Sequence, residues 1–287
     1  MSNILITGSS GLLGSSLVEK LSTEGHVLYC ISRKNKFLSP NIYPINIDLS
    51  SDFDIQQLPN EIDVIYHLAQ SDRFREFPEG AMDVFNVNIQ STAKLLEYAR
   101  RTRVKKFIYA SSGGVYGKSE YPFHENSPIN PPGDLGFYLG TKACSEILVQ
   151  SYASIFNVIV VRPFFLYGHN QKDKMLIPRL ITNVINRKVV VLQGDNGIRI
   201  NPIHCSDAAI ALSKLLNYNT NSTFNIAGLD NFTIMEICNF IGTINTIKPV
   251  FKFEESVPDL VADISLMKKH LHVPQNNLLD FISDATI

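Results

Sequence analysis

Residues 4–21 read ILITGSSGLLGSSLVEKL, and the order of residue types within them decides the fold. An apolar β-branched run gives way at once to Gly8, Gly11 and Gly14, and the last of these opens a helical pattern. Glycine permits the tight turn and lets backbone N–H groups approach a pyrophosphate at the positive end of the helix. Three glycines alone also suit a plain structural turn. The strand before them, the helix after them and the series that follows make a dinucleotide site the stronger hypothesis.

That series is NILIT (3–7), HVLYCI (26–31), NIYPIN (41–46), DVIYHLA (63–69) and KKFIYAS (105–111). These short, nearly wholly apolar runs alternate mostly with helical patterns, the rhythm of βαβ units in a parallel sheet covered on both faces. In AMDVFNVNIQSTAKLLEYARR (81–101), Val84, Val87, Leu95 and Leu96 predict one helix whose basic last turn suits its dipole. After VIVVRPFFLYG (158–168) the pattern loosens into shorter helices and isolated strands. The expectation is an α/β chain: a Rossmann-type doubly wound parallel sheet over 1–168, then a smaller mixed α/β substrate region over 169–287. Strands near 201–204 and 223–227 are candidates to return to the first domain.

With 26 basic and 27 acidic residues, the 287-residue chain carries no bulk field that would draw nucleic acid or an anionic membrane. Cys30, Cys144, Cys205 and Cys238 show neither paired nor zinc-type spacing, and His67, His124, His169 and His204 share no metal-ligand spacing, so no metal site is expected. No apolar run reaches the ~18 residues of a membrane span, and the chain starts on a strand rather than a charged leader. These features predict a soluble, cytoplasmic protein.

The second strand ends in YCISRKNK (29–36). A carboxylate at that tip would hydrogen-bond a ribose 2′-hydroxyl and repel a 2′-phosphate. Here Ser32 offers a hydrogen bond, and Arg33 and Lys34 offer positive charge. The stretch leans toward NADP(H) over NAD(H), although a solvated basic turn has the same composition. Asp48, next to Leu49 in NIDLSS, can accept a hydrogen bond from an adenine amino group or cap a turn.

FYLGTKACSEILVQSYA (137–153) places Tyr138 and Lys142 one helical turn apart on a common face. A tyrosine of pKa ~10 is a poor base near neutrality, and an adjacent ammonium favours its phenolate. Upstream, IYASSGGVYG (108–117) brings Ser112 to the carboxyl end of a strand, where it can position a substrate oxygen for proton transfer with Tyr138.

With these motifs the chain resembles the extended short-chain dehydrogenase/reductase family, also called the NAD-dependent epimerase/dehydratase family. The pieces that carry the resemblance are TGSSGLLG, DLS, YHLAQ, NVNIQSTAKLLEYAR, ASSGGVYG, YLGTK, RPFFLYG, NPIHCSDAA and ADISLMKKHL, in that order along the chain. The resemblance implies that Ser112, Tyr138 and Lys142 are catalytic. It implies cofactor contacts at Gly8, Ser10, Gly11, Leu12, Gly14, Asp48, Leu49, Leu68, Ala69 and Asn88, besides Tyr138 and Lys142. In the family, hydride passes between the nicotinamide and a substrate carbon while the tyrosine exchanges the hydroxyl proton and the lysine holds the nicotinamide ribose. The resemblance also implies a nucleotide-sugar substrate and a homodimer.

Several departures narrow the reaction. Dehydratases of the family carry an acidic pair where this chain has Gly113 and Gly114, which speaks against elimination. Phe165 and Val257 stand where many relatives bind the nucleotide diphosphate through asparagine and arginine. Arg199, Lys172, Lys174 and Arg179 remain as cations in the substrate region, with Arg199 and Phe165 as substrate-binding candidates. The first expectation is therefore NADPH-dependent 4-keto reduction of a nucleotide-linked deoxysugar. The alternative is a nucleotide-sugar 4-epimerase with tightly held cofactor, ahead of a 4,6-dehydratase or a non-catalytic dinucleotide sensor.

Overall fold

A computed structural model describes residues 1–33, 39–131 and 133–286. Its centre is a parallel sheet of seven strands. They are β1 (Asn3–Thr7), β2 (Val27–Ser32), β3 (Ile42–Asn46), β4 (Val64–His67), β5 (Lys106–Ala110), β6 (Asn157–Pro163) and, from the far end of the chain, Ser222–Ile226. The spatial order is the last of these, then β6, β5, β4, β1, β2 and β3. The chain therefore winds outward from β1 to one side, returns to β4 and winds outward again: a Rossmann-like, doubly wound sheet.

Side-chain alternation explains why the strand sequences are apolar throughout. Ile4 and Ile6 face one layer, where α1 (Leu12–Thr23) supplies Leu17, Val18 and Leu21. Leu5 faces the other, where α3 (Ser91–Arg101) supplies Leu95 and Leu96 and α4 (Gly136–Gln150) supplies Val149. Successive residues of one strand thus enter different cores, so neither face tolerates a polar period. Pro44 in β3 lies on the sheet edge, where its missing N–H removes no ladder bond.

The single helix expected over 81–101 is interrupted. The short α2 (Ala81–Phe85) passes through a π-helical turn, Asn86–Gln90, into α3. Hydroxyls stabilise the widened turn: Ser91 Oγ donates to the Val87 carbonyl, and Thr92 Oγ1 and Ser145 Oγ donate to that of Asn88. Periodicity gives no sign of the extra residue because the apolar face continues on both sides of it.

After β6 come β7 (Leu166–Tyr167), α5 (Leu176–Ile185), β8 (Val189–Gln193), β9 (Arg199–Ile200), β10 (Ile203–His204) and α6 (Cys205–Lys214). The strand Ser222–Ile226 is β11 and is followed by β12 (Phe232–Thr233), α7 (Ile234–Ile244), β13 (Val250–Glu254), α8 (Ser265–His270) and α9 (Leu278–Thr286). β11 lies beside β6 in the main sheet, whereas β10 pairs with β7 in a separate ribbon. The α6 helix after β10 packs on α1. Elements that follow β6 share their own apolar cluster, built from Ile177, Leu180, Leu192, Ile237, Ile241 and Ile282 among others.

Candidate active site

The two windings part between β1 and β4, and the carboxyl ends of these strands form the crevice where such sheets bind ligands. Gly8 has φ +67°, and a Cβ there would lie 2.8 Å from the Ala69 backbone. At Gly14 a Cβ would lie 2.1 Å from the Gly8 carbonyl oxygen, so only glycine lets α1 close on the loop. Gly11 caps α1 without a side-chain hydrogen bond, leaving the first-turn N–H groups open to an anion. Ser9, unremarked in the sequence, is fully buried and donates to the Ile31 carbonyl, pinning the loop to β2. This cradle fits a dinucleotide pyrophosphate. Ser10 and Leu12 flank Gly11 in the loop and first turn, and Leu68 and Ala69 follow β4.

His67 Nδ1 lies 2.7 Å from Thr7 Oγ1, and its Nε2 lies 2.8 Å from Thr92 Oγ1. Thr92 already donates to Asn88, so Nε2–H is the donor to Thr92, and Nδ1 accepts from Thr7. Burial, reinforced by the Lys142 charge, pushes His67 down to about 3 and keeps it neutral. It braces the cradle rather than working in it. Asn88 is likewise buried; its Nδ2 donates to Thr141 Oγ1 and its Oδ1 accepts the Ser71 N–H, so the π turn ties the β4 loop to α4.

At the β2 tip, Ser32 is buried and Arg33 is exposed. The Arg33 guanidinium meets Asp72 at 2.8 Å, and Lys172 meets the other oxygen of that carboxylate at 2.6 Å. Lys34 lies outside the described residues. Asp48 accepts from the Ser50 N–H at 3.0 Å, which holds its carboxyl below the usual range in an Asx turn. Leu49 is buried in the core.

Tyr138, Lys142 and Ser112 meet where the first turns of α4 cross the end of β5. The Tyr138 hydroxyl donates to Gln70 Oε1 at 2.9 Å, and the Lys142 ammonium donates to the Ala110 carbonyl at 2.8 Å, 5.1 Å from the Tyr109 ring. Lys142 is 1% exposed and Tyr138 7%. Here the structure differs from the sequence expectation of a phenol acidified by its lysine. Burial dominates both groups, raising Tyr138 to about 12 and lowering Lys142 to about 7. What opposes the rise at Tyr138 is a hydrogen bond from Ser112 and the charge of Arg75, not Lys142. Gln70, Phe74 and Arg75 went unremarked: the Phe74 ring tilts on Tyr138 at 5.0 Å, and the Arg75 guanidinium lies over Phe74 at 5.0 Å. Only Gln70 had a sequence signal, its place at the end of YHLAQ.

A Cβ on Gly113 would come within 2.4 Å of the Phe164 ring, and one on Gly114 within 2.9 Å of Leu139. Phe164 thus fills the space beside Gly113, whereas at Gly114 the obstacle is only the flexible end of the Leu139 side chain. Phe165 holds φ +40°, a strained angle for a bulky side chain, and packs between two apolar clusters. Arg199 stands away from this centre, its guanidinium 3.8 Å from Glu236 and its N–H donating to Asp259.

A doubly wound sheet with a glycine cradle and a serine, tyrosine and lysine so placed defines an oxidoreductase of the short-chain dehydrogenase/reductase class. The sequence profile of the NAD dependent epimerase/dehydratase family matches residues 4–227, and the chain belongs to that family of enzymes. It is 26% identical to the uncharacterized UDP-glucose epimerase YtcB of Bacillus subtilis over 98% of this chain and 96% of the relative. A trifunctional UDP-glucose 4,6-dehydratase, 3,5-epimerase and UDP-4-keto-L-rhamnose-reductase of Arabidopsis thaliana is 29% identical over 86% of this chain; the match spans 40% of the relative's length. In fold, the chain matches the Bacillus cereus UDP-glucuronic acid 4-epimerase solved with UDP-glucuronic acid and NAD, at TM-score 0.85 and 24% identity, covering 98% of this chain and 96% of the other.

The packing at Gly113 sets a test. Gly113→Ala is expected to lower stability by about 1–3 kcal/mol through overpacking against Phe164, read from the urea midpoint; an unchanged midpoint would show that the ring moves aside freely.

Proposed function

We propose that the protein is a 4-epimerase of a nucleotide sugar. The observation that carries this reading is a buried Tyr138 hydroxyl beside Ser112, with glycines and an aromatic ring in the place where elimination would need two carboxyl groups. The names of similar proteins support epimerisation over the 4-keto reduction favoured by the sequence reading.

Gly8, Gly11, Gly14 and the amino end of α1 would hold the dinucleotide, which would supply reversible hydride exchange. Tyr138 removes and restores the proton of the sugar hydroxyl, and Ser112 holds that oxygen in place. Lys142 contributes positive charge next to the reacting groups. Their burial excludes water and strengthens each of these interactions. Near Tyr138, burial and the charge of Arg179 both lower the pKa of Arg75, so the two guanidinium groups are neighbours. An anion such as the nucleotide diphosphate would relieve that repulsion. In this proposal residues 1–168 hold the dinucleotide and 169–287 mainly the substrate.

The cofactor reading shifts from NADP(H) to NAD(H). What supports the shift is the ion pair of Arg33 with Asp72, which sets a carboxylate against the guanidinium that a 2′-phosphate would need. We further propose a homodimer through α2, the loop before it and α4, where Phe77, Met82, Phe137 and Ile147 are exposed and the Phe77 and Phe137 rings stack at 5.5 Å.

Incubated with UDP-glucose, the enzyme is expected to release the C4 epimer with no net change in reduced nicotinamide absorbance. Stoichiometric loss of NADPH with a 4-keto sugar, and no epimer, would replace the reading with reduction. Tyr138→Phe should lower turnover by at least ~100-fold while dinucleotide affinity stays near normal. Titration of the dinucleotide-free protein should show tighter binding of NAD than NADP; the reverse order would return Arg33 to a phosphate role. Light scattering should give twice the 32.1 kDa chain mass, and a monomer would remove the proposed α2 and α4 interface.

A further inference from the structure

Lys142 faces an electrostatic difficulty that its own site does not resolve. It is almost fully buried, and burial drives its ammonium toward the neutral amine. The groups around it can be followed element by element. From β5 come the Ala110 carbonyl and the Tyr109 ring; from β4 comes His67, which is neutral. From α4 come Tyr138, one turn before, and Glu146, one turn after. Only Glu146 brings a full negative charge.

Glu146 is 1% exposed, and a carboxylate so deeply buried is costly unless it is paired. It does not stand alone. Arg162, the penultimate residue of β6, grips it with two parallel hydrogen bonds, Nε to Oε1 at 3.0 Å and Nη2 to Oε2 at 2.6 Å. Arg162 is itself fixed by Nη1 bonds to the Tyr116 hydroxyl and the Glu125 carbonyl, and it stacks over the Tyr116 ring at 4.5 Å. The two-point grip therefore fixes the Glu146 carboxylate in one rotamer. Glu146, one helical turn after Lys142 on α4, in turn raises the pKa of Lys142 against the pull of burial.

We infer that Glu146 is a positioning residue which keeps Lys142 cationic in the buried site, with Arg162 serving to hold the Glu146 carboxylate one helical turn from the ammonium. The inference rests on the proposed role of Lys142 in catalysis, but the charge relation itself can be measured without substrate.

The experiment is a pH titration of the full-length protein labelled with 13Cε-lysine, followed by NMR, with the Lys142 signal assigned by its disappearance in Lys142→Met. A carboxylate favours the ammonium, so removing its charge makes Lys142 release its proton at lower pH. Glu146→Gln is expected to move the Lys142 midpoint down by at least about one pH unit, while Glu146→Asp stays near the unmodified protein. The alkaline limb of turnover with UDP-glucose should move with it, so that activity lost near pH 8 is regained toward pH 6. Arg162 left unpaired in Glu146→Gln threatens folding; the double variant Glu146→Gln/Arg162→Met removes both charges and carries the same expectation. An unchanged Lys142 midpoint in the variant that folds would overturn the inference and leave Glu146 as a structural anchor. Full turnover in Tyr138→Phe would instead sink the catalytic reading while leaving the titration result standing.

Discussion

The buried pair between Arg162 and Glu146 is the constraint on which the geometry of the site depends. It joins α4, which carries Tyr138 and Lys142, to β6 at the carboxyl edge of the sheet. Around it the network extends outward: Tyr116 donates to Asn225 on β11, and Asn225 donates to the carbonyls of Phe123 and Asp263. A late strand, an inserted loop and the helix bearing the reactive tyrosine are thus registered against one guanidinium. Two desolvated charges are costly, and the pair is offset by the bidentate contact and the further bonds of Arg162 to Tyr116 and Glu125.

The same low-dielectric surroundings shape the chemistry. Burial raises the tyrosine and lowers the lysine, each toward its neutral form. What opposes burial comes from fixed partners: Ser112 and the charge of Arg75 for the phenol, the charge of Glu146 for the amine. The π turn adds to this order, since it lets Asn88 bond to Thr141 between the two reactive residues and to Ser71 in the loop after β4.

Packing also restricts the reaction. Phe164 occupies the volume beside Gly113, so an acidic side chain there would displace a buried ring. Phe165 follows with a left-handed backbone, bridging the sheet's core and the apolar cluster of the elements that follow β6. At the mouth of the crevice, Asp72 draws together Arg33, which follows β2, and Lys172, which follows β7. Arg33, from the basic tip that stands out in the sequence, is therefore part of a surface ion-pair network. A basic dipeptide announces its charge but not the carboxylate that meets it thirty-nine residues later.

What the chain announces locally, it announces clearly. The glycine spacing after a strand, the alternation of apolar runs with helical periods, and the four-residue step from Tyr138 to Lys142 all follow from backbone sterics and element period, which act over a few residues. Tertiary structure alone decided the charge states of that pair, the partner of Arg33, the π turn around Asn88, the β7 pairing of β10, and the match between Gly113 and Phe164. Each depends on desolvation or on contact between residues far apart in the chain, and neither leaves a periodic trace in sequence.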